Sequence, residues 1–525
     1  MPRRTLRGRR TTAAALISTS AALTLAATLV QSPANARPDT APARHRDGTA
    51  AGVMEHLQRL EAIGDRHDGR ASGTPGYRAS RDYVVKKLRK AGYEPRVQEF
   101  DFPYFEQLGP STLERTAPTQ QTYVEDTDYV LMTYSGSGDV TAPVQGVDLA
   151  LGDLATSTSG CEDADFAGFT AGNIALVRRG TCPFSDKVTN AEEAGASAVI
   201  VMNQGTAGRT DALAGTLGGP GTEIPAIGTS FAAGEALSAA GTSAHVATDT
   251  ASEIRTTWNV LAETRGSRKN VVMAGAHLDS ILGGNGINDN GSGSAALLEV
   301  AESMGGQAKP NNRVRFAWWG AEELGLLGSD HYVAQLSAAN PKRFQKIALY
   351  LNFDMVGSPN YALMVYDGNN SAYPVGPDAA DGPKGSGAIE RSFHRFFEKY
   401  GTGSDETPFS GRSDYGAFIA LNVPAGGLFT GAEGVKTPEQ AAKFGGTAGE
   451  SYDECYHAEC DDLGNVSRRA IKANTAAILH SVTKYARSTR SVNGDRTGHQ
   501  PPPPAATPRR SSHAAHAHPG DPVAR

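Results

Sequence analysis

The stretch VVMAGAHLD, residues 271–279, is apolar without interruption until it reaches His277 and Asp279. A strand that is apolar on both faces is typical of a parallel sheet covered by helices on each side. From Trp258 onwards, apolar strand-like runs alternate with helical periodicity, which indicates the same arrangement. The sequence therefore predicts an α/β fold with a mostly parallel, mixed central sheet, and polar side chains at the end of the strand over 271–276.

Two further apolar runs end in carboxylates. The run 314–318 precedes the adjacent pair Glu322–Glu323, and the run 349–353 precedes Asp354. Ligands of open α/β sheets bind outside the carboxyl ends of the strands, because the loops there meet in one crevice. We therefore expect the ends of all three strands to face a common site.

Two more polar residues lie outside these strands. Asp289 sits in a Gly/Asn turn just before an apolar helical pattern, and His457 lies in the segment SYDECYHAECD, residues 451–461. Taken alone, Asp289 is a helix-capping residue and His457 an incidental loop histidine. Taken together, the candidates are imidazole and carboxylate ligands suited to zinc: His277, Asp289, Glu323, Asp354 and His457. With one carboxylate shared, such a set can hold two ions, which lie about 3.5–4 Å apart in hydrolytic sites.

The amino terminus has the pattern of an export signal. Arginines between Arg3 and Arg10 precede an uncharged stretch over 11–33, and Ala34–Ala36 fits a small-residue cleavage site. This pattern predicts a signal peptide over 1–36 and a secreted mature protein. A general secretory signal fits better than a twin-arginine signal, which Arg9–Arg10 keep open as the alternative. A membrane span is the alternative. It is disfavoured because the stretch is rich in Ala, Thr and Ser, and no later segment approaches ~20 apolar residues.

Composition narrows the range of partners. The 525 residues are 39% hydrophobic and 20% charged, and the net charge of -6 offers no basic footprint for nucleic acid. Residues 37–50 form a polar linker and residues 491–525 a Pro-, His- and Arg-rich tail, both of which we expect to be disordered. We expect a monomer with neither nucleic-acid nor membrane partners.

Four cysteines can pair in three ways in an oxidising compartment. Proximity along the chain favours Cys161 with Cys182 and Cys455 with Cys460. The second loop is too short for its closure to remove much entropy from the unfolded chain. A bond there would serve mainly to hold residues 456–459 in one local shape.

The region 108–252 differs in character from its flanks, with short β-rich runs separated by Gly and Thr. Within it, residues 172–203 read GNIALVRRGTCPFSDKVTNAEEAGASAVIVMN and resemble the protease-associated (PA) domain: a strand, an RGxCxF turn, a helix and an apolar strand. The region contains no cluster of convergent titratable groups. We therefore expect a lid, a substrate channel or a purely structural module here rather than a catalytic one.

Five motifs in order resemble the secreted M28-type zinc aminopeptidases: AGAHLDS, GINDNGSG, WWGAEELGLLGS, YLNFDMVG and ECYHAECDD. The resemblance extends over residues 53–485. It implies a three-layer zinc-exopeptidase fold formed by 51–107 and 253–490, with the PA domain inserted over 108–252. It also implies removal of N-terminal residues from peptides, with a preference for large apolar, leucine-like side chains.

The resemblance further implies a role for each site residue. His277 and Asp354 would bind one zinc, Glu323 and His457 the other, and Asp289 would bridge the two. Glu322 would be the general base, taking a proton from the metal-activated water. Tyr456 would donate a hydrogen bond to the developing oxyanion. The adjacent glutamates thus have different tasks: one binds metal and the other moves a proton.

Three residues have supporting roles in this interpretation. Asp279 would accept a hydrogen bond from the second ring nitrogen of His277. In SGRSDY, residues 410–415, Arg412 and Asp414 would position substrate or order the pocket loop, with a capped surface turn as the alternative. Glu322 and Asp354 would surround the free α-amino group of the substrate with negative charge.

Rival functions follow from the same pattern. A glutaminyl cyclase or a carboxypeptidase of related fold would use a similar ligand scheme, and the native metal could be zinc, manganese or cobalt. A non-catalytic, peptidase-like binding protein is the alternative from another class. The presence of all five ligand candidates together with Glu322 and Tyr456 disfavours it.

Overall fold

A computed structural model describes residues 50–152 and 157–499. The predicted signal peptide, almost all of the linker 37–50 and the tail beyond 499 lie outside the described residues. The central sheet has eight strands in the described part of the chain: β1 (Arg96–Gln107), β10 (Thr250–Glu263), β11 (Ser267–His277), β12 (Asn312–Trp319), β13 (Ile347–Phe353), β14 (Met364–Tyr366), β15 (Asp405–Thr407) and β16 (Ala425–Phe429).

A second sheet contains β2 (Thr112–Ala117), β3 (Gln121–Thr122), β4 (Tyr129–Leu131), β5 (Gly138–Gly146), β6 (Ile174–Arg178), β7 (Ala198–Met202), β8 (Ala226–Thr229) and β9 (Ser243–Thr248). The helices are α1 (Ala50–His67), α2 (Pro75–Lys90), α3 (Phe184–Glu193), α4 (Phe231–Leu237), α5 (Gly293–Met304), α6 (Leu327–Ala339), α7 (Pro341–Phe344), α8 (Ser386–Tyr400), α9 (Tyr415–Ala420), α10 (Pro438–Phe444), α11 (Arg468–Arg487) and α12 (Arg490–Asn493).

The central sheet has the order β1-β10-β12-β11-β13-β16-β14-β15. Its middle strands β12, β11, β13 and β16 are parallel, and antiparallel pairs occur on either side of them. The predicted strands over 271–276, 314–318 and 349–353 are β11, β12 and β13, which are direct neighbours. The prediction of a mostly parallel, mixed α/β sheet is therefore confirmed.

Helices cover both faces of the central sheet. Phe316 and Trp318 point to the face that packs against α1, α2, α5, α8 and α11, while Ala317 and Trp319 point to the face covered by α6, α7 and α9. Because successive side chains of a strand alternate between faces, a strand buried on both must be apolar throughout. Gly275 in β11 leaves room for a hydrogen bond from Trp319 to Tyr350, since a Cβ there would lie 2.6 Å from Trp319 Nε1.

The second sheet belongs to a separate module with cores of its own. Its β6, β7 and β8 are parallel, α3 and α4 pack on them, and the Cys161–Cys182 disulfide joins the loop before β6 to the turn before α3. The module leaves and rejoins the central sheet through β1 and β10, which pair antiparallel from Arg96 opposite Leu261 to Gln107 opposite Thr250. This β-rich insert agrees with the predicted PA domain.

Part of the predicted tail is folded. Residues 490–493 form α12, and Gly498 donates its backbone N–H to Asn270 at 2.7 Å. His499 is buried and donates from Nδ1 to the carbonyl of Ile347 at 2.8 Å. The predicted start of the tail at residue 491 is therefore too early. Isolated contacts of this kind produce no apolar periodicity, so the sequence pattern could not predict them. Within residues 50–152 and 157–499, no helix has the length and apolar character needed to cross a bilayer.

Candidate metal centre

Three neighbouring strand ends deliver polar side chains to one place. β11 ends at His277, β13 is followed directly by Asp354, and β12 is followed by a tight turn that carries Glu322 and Glu323. In that turn Ala321 adopts a positive φ of 54°. Since the strands are parallel neighbours, these residues meet at the carboxyl edge of the central sheet.

Two histidines flank the carboxylate of Asp289. His277 Nε2 lies 3.2 Å from Asp289 Oδ1 and 3.2 Å from Asp354 Oδ1. His457 Nε2 lies 3.3 Å from Asp289 Oδ2 and 3.1 Å from Glu323 Oε2. The structure thus brings together all five residues that the sequence analysis predicted as metal ligands, with one oxygen of Asp289 towards each imidazole.

These distances fit two metal ions. Four ligands at 2.0–2.1 Å from a tetrahedral zinc are separated from one another by about 3.3 Å, close to the four distances above. Glu323 Oε1 is buried and has no hydrogen-bond partner among the described residues. Buried carboxylates without compensating charge are costly, and a divalent cation would offset that cost. The donor set of imidazoles and carboxylates is also the one that zinc prefers.

Burial and the neighbouring charges shift the pKa values of the side chains in this cluster. Burial raises the pKa of Glu322 well above its ordinary value, and burial together with Asp289 raises the pKa of Glu323 to about 7. Burial opposes the charge of His277, but the carboxylates of Glu322 and Asp354 hold its pKa well above the usual range. The shifts reflect several carboxylates buried close together. Such a pocket attracts a divalent cation.

Glu322 differs from its neighbour Glu323 in position. Its Oε2 lies 3.8 Å from His277 Nε2, and it forms a group with His277 and Asp354, whereas Glu323 groups with His277 and Asp289. The backbone N–H of Glu322 donates to Asp279 Oδ1 at 3.3 Å. The two adjacent side chains therefore enter the site from different directions, as their predicted division of tasks requires.

The loop closed by Cys455 and Cys460 holds two site residues. The ring of Tyr456 stacks on that of His457 with centroids 3.9 Å apart. The phenol oxygen of Tyr456 accepts a hydrogen bond from Arg412 Nη2 at 3.1 Å, and Arg412 also pairs with Glu433 at 2.6 Å. Both disulfides are those favoured by proximity in the sequence.

The predicted supporting residues Asp279 and Asp414 both lie at the site, and the structure shows which contacts each of them makes. His277 Nδ1 is nearer to the carbonyl oxygen of Asp279, at 3.2 Å, than to its carboxylate, at 3.6 Å. Since a carbonyl only accepts, Nδ1 carries the hydrogen and Nε2 is left as the ligand atom. Asp414 is fully buried, and burial raises its pKa well above the ordinary value. This burial favours a role in ordering the loop over direct contact with substrate.

Sequence reasoning missed two residues that hold the ligands. Ser413 Oγ donates to Asp354 Oδ2 and accepts from Asn352 Nδ2 at 2.8 Å. Asp461 accepts the backbone N–H groups of Asn288 at 2.8 Å and Asp289 at 2.9 Å. The acidic pair that follows Cys460 in the sequence was the available signal for Asp461. The Cys455–Cys460 loop therefore contains His457, and the residue directly after it, Asp461, orients the backbone of Asp289.

Comparisons with known proteins agree with the predicted fold and with the predicted family. Residues 259–482 match the profile of Peptidase family M28, and residues 140–237 match the PA domain. An aminopeptidase of Pseudomonas aeruginosa is 48% identical over 451 residues, which are 85% of this chain and 82% of the relative. A probable leucine aminopeptidase 2 of Trichophyton verrucosum is 42% identical, over 83% of this chain and 84% of the relative.

Solved structures extend the comparison. The aminopeptidase from Aneurinibacillus sp. strain AM-1 has a TM-score of 0.57 at 26% identity, over 87% of this chain and 98% of its own. Fold and site together define a metal-dependent peptide hydrolase. The chain belongs to peptidase family M28, carries a PA domain, and groups with the aminopeptidases of that family.

Proposed function

We propose that this protein is a secreted, dinuclear zinc aminopeptidase that removes N-terminal residues, with a preference for large apolar side chains such as leucine. The observation that carries the proposal is the placement of Asp289 between two imidazoles, each accompanied by one further carboxylate. His277 and Asp354 would hold one zinc, and Glu323 and His457 the other. When bound, zinc polarises a peptide carbonyl and lowers the pKa of water to about 7.

Glu322 and Tyr456 then have separate tasks. Glu322, buried beside His277 and Asp354, accepts a proton from the attacking water and passes it to the departing amine. The hydroxyl of Tyr456 donates to the oxyanion while it accepts from Arg412, which holds the phenol in place. A hydrogen bond of this kind contributes about 2.7–4 kcal/mol to the stabilisation of the transition state.

Exopeptidase specificity needs a group that holds a free α-amino terminus. Glu322 and Asp354 provide negative charge in the same pocket, so a protonated amine is favoured there. The names of the Pseudomonas and Trichophyton relatives support aminopeptidase activity, and the latter supports leucine as a preferred residue. Secretion is supported by the export pattern of residues 1–36 and by two disulfides.

The deciding experiment combines metal analysis with a panel of aminoacyl p-nitroanilides. Purified protein should contain two equivalents of zinc and release nitroaniline fastest from the leucine substrate, and a chelator should abolish the activity. The Glu322→Gln variant should keep both metals and lose turnover by orders of magnitude. Glu454→Gln, an exposed change in the Cys455 segment, serves as the matched control and should behave like the unmodified enzyme.

The outcomes distinguish the alternatives. Near-normal turnover by Glu322→Gln would refute its role as the base. Activity towards substrates blocked at the amino end, or none on any free aminoacyl anilide, would favour a carboxypeptidase or a glutaminyl cyclase. A protein that binds no metal and does not respond to chelation would be a binding protein rather than an enzyme.

A further inference from the structure

A cavity of about 400 Å³ opens at the edge of the central sheet opposite the metal centre, where β11, β12 and β13 begin. Six cationic side chains line it: Arg268, Arg313, Arg315, Lys342, Arg343 and Lys346. We call it the basal cavity. The chain as a whole has a net charge of -6, so this concentration of positive charge is opposite to its average.

One carboxylate, Glu263, lies among the residues that line the basal cavity in the described structure. It is already paired with Arg313 at 2.6 Å and with Arg315 at 2.5 Å. The guanidinium of Arg315 is buried and also contacts the hydroxyl of Tyr332. Glu263 therefore offsets one of the two positive charges of Arg313 and Arg315, and it is already engaged beneath the remaining four cations.

Those four cations, Arg268, Lys342, Arg343 and Lys346, are exposed. Within residues 50–152 and 157–499, none of them has a carboxylate at ion-pair distance, since Glu263 pairs with Arg313 and Arg315 instead. Like charges that line one cavity repel one another, and a concave surface concentrates their field. A multivalent anion would relieve that repulsion and gain several charge-assisted hydrogen bonds at once.

We propose that the basal cavity binds a linear polyanion whose charges are closely spaced phosphate groups. Arginine forks and lysine ammonium groups both suit phosphate oxygens, and four of them around one cavity can contact several phosphate groups of one chain at once. Nucleic acid is disfavoured because no aromatic side chain lines the described cavity to stack on a base. Bound at this edge, the polymer would leave the metal centre at the opposite edge open to substrate.

The test is titration calorimetry of the full chain with inorganic polyphosphate and with a poly(glycerol phosphate) chain of equal charge. Binding of either supports the shared chemistry, and the tighter one identifies the source. The triple variant Arg268→Gln, Lys342→Gln, Lys346→Gln should bind at least about tenfold more weakly. The slope of a plot of log affinity against log salt concentration should become smaller in magnitude by about three, one for each cation removed. Its hydrolysis of leucine p-nitroanilide should not change.

A matched control separates the cavity from bulk charge. Arg468, Arg469 and Lys472 are exposed at the start of α11, so their conversion to Gln changes the net charge equally at another place. This control should retain polyphosphate binding within about twofold. Equal weakening by both triples, or absence of binding by the unmodified chain at low salt, would overturn the proposal. Equally tight binding of duplex DNA would replace the phosphate polymer by nucleic acid.

Discussion

Replacing Asp461 with Asn should weaken metal binding without removing any ligand. The carboxylate of Asp461 accepts from the backbone of Asn288 and of Asp289 through different oxygens, and its Oδ1 also accepts from Asn465 Nδ2 at 3.1 Å. Asn has nearly the same shape, but one of its two terminal groups is an NH2 donor. The backbone N–H of either Asn288 or Asp289 would then face a donor instead of an acceptor.

The magnitude follows from leaving one buried backbone N–H without an acceptor. An unsatisfied buried donor costs about 1–3 kcal/mol, which corresponds to roughly 5- to 150-fold in an equilibrium constant. Because the turn orients Asp289 between His277 and His457, the loss should appear in the affinity for metal. At saturating metal, kcat should recover to near its normal value, since Glu322 and Tyr456 are untouched.

The assay is metal titration of the demetallated enzyme, followed by activity and by thermal unfolding. Asp462→Asn provides the control, because Asp462 is exposed and caps the N–H groups of Gly464 and Asn465, a task that Asn also performs. Unchanged metal affinity in Asp461→Asn would refute the reasoning. So would an activity loss that saturating metal does not restore while the fold is intact.

Three further predictions concern the Cys455 loop and the PA domain. Tyr456→Phe should lower kcat by about 10²–10³ with little change in KM, because it removes an oxyanion donor, as steady-state kinetics will measure. Converting Cys455 and Cys460 together to Ser should weaken metal binding, measured by chelator competition, because His457 loses its fixed backbone. Lys187 is buried in the PA domain, and burial lowers its pKa to about 8, so Lys187→Met should remove a rise in unfolding free energy between pH 8 and about 10.

The sign of the last effect follows from proton binding. Above pH 8 the folded chain loses the proton of Lys187 before the unfolded chain does, so stability rises with pH until the lysine pKa of the unfolded chain is reached. Urea unfolding at several pH values compares the two proteins, and parallel curves would contradict the prediction. For the cysteines, the Cys161→Ser, Cys182→Ser pair is the control and should leave metal affinity intact. For Tyr456→Phe, bound metal should stay at its normal amount, and a change confined to KM would argue against an oxyanion role.

Local pattern explains why the strands and the ligands could be predicted from the sequence. The runs that form β11, β12 and β13 are apolar because both faces of these strands are buried. Burial on both faces requires consecutive apolar residues, which can be read directly from the sequence. Thr74 and Pro75 likewise predict the start of α2, where the hydroxyl of Thr74 accepts from the N–H of Tyr77. Ligand types are also readable, since only a few side chains bind metal.

The sequence by itself therefore determined the α/β class, the inserted module and the identities of the metal-binding candidates, and it favoured the two disulfide pairs that the structure contains. Only the tertiary structure decided which oxygen of Asp289 faces which histidine, that Arg412 supports Tyr456, and that Asp461 holds a turn 172 residues away. The basal cavity likewise has no local signature, because its cations come from three separate segments. The physical reason is that periodicity reports burial along one element, whereas contacts between elements depend on register and turn geometry set by the whole fold.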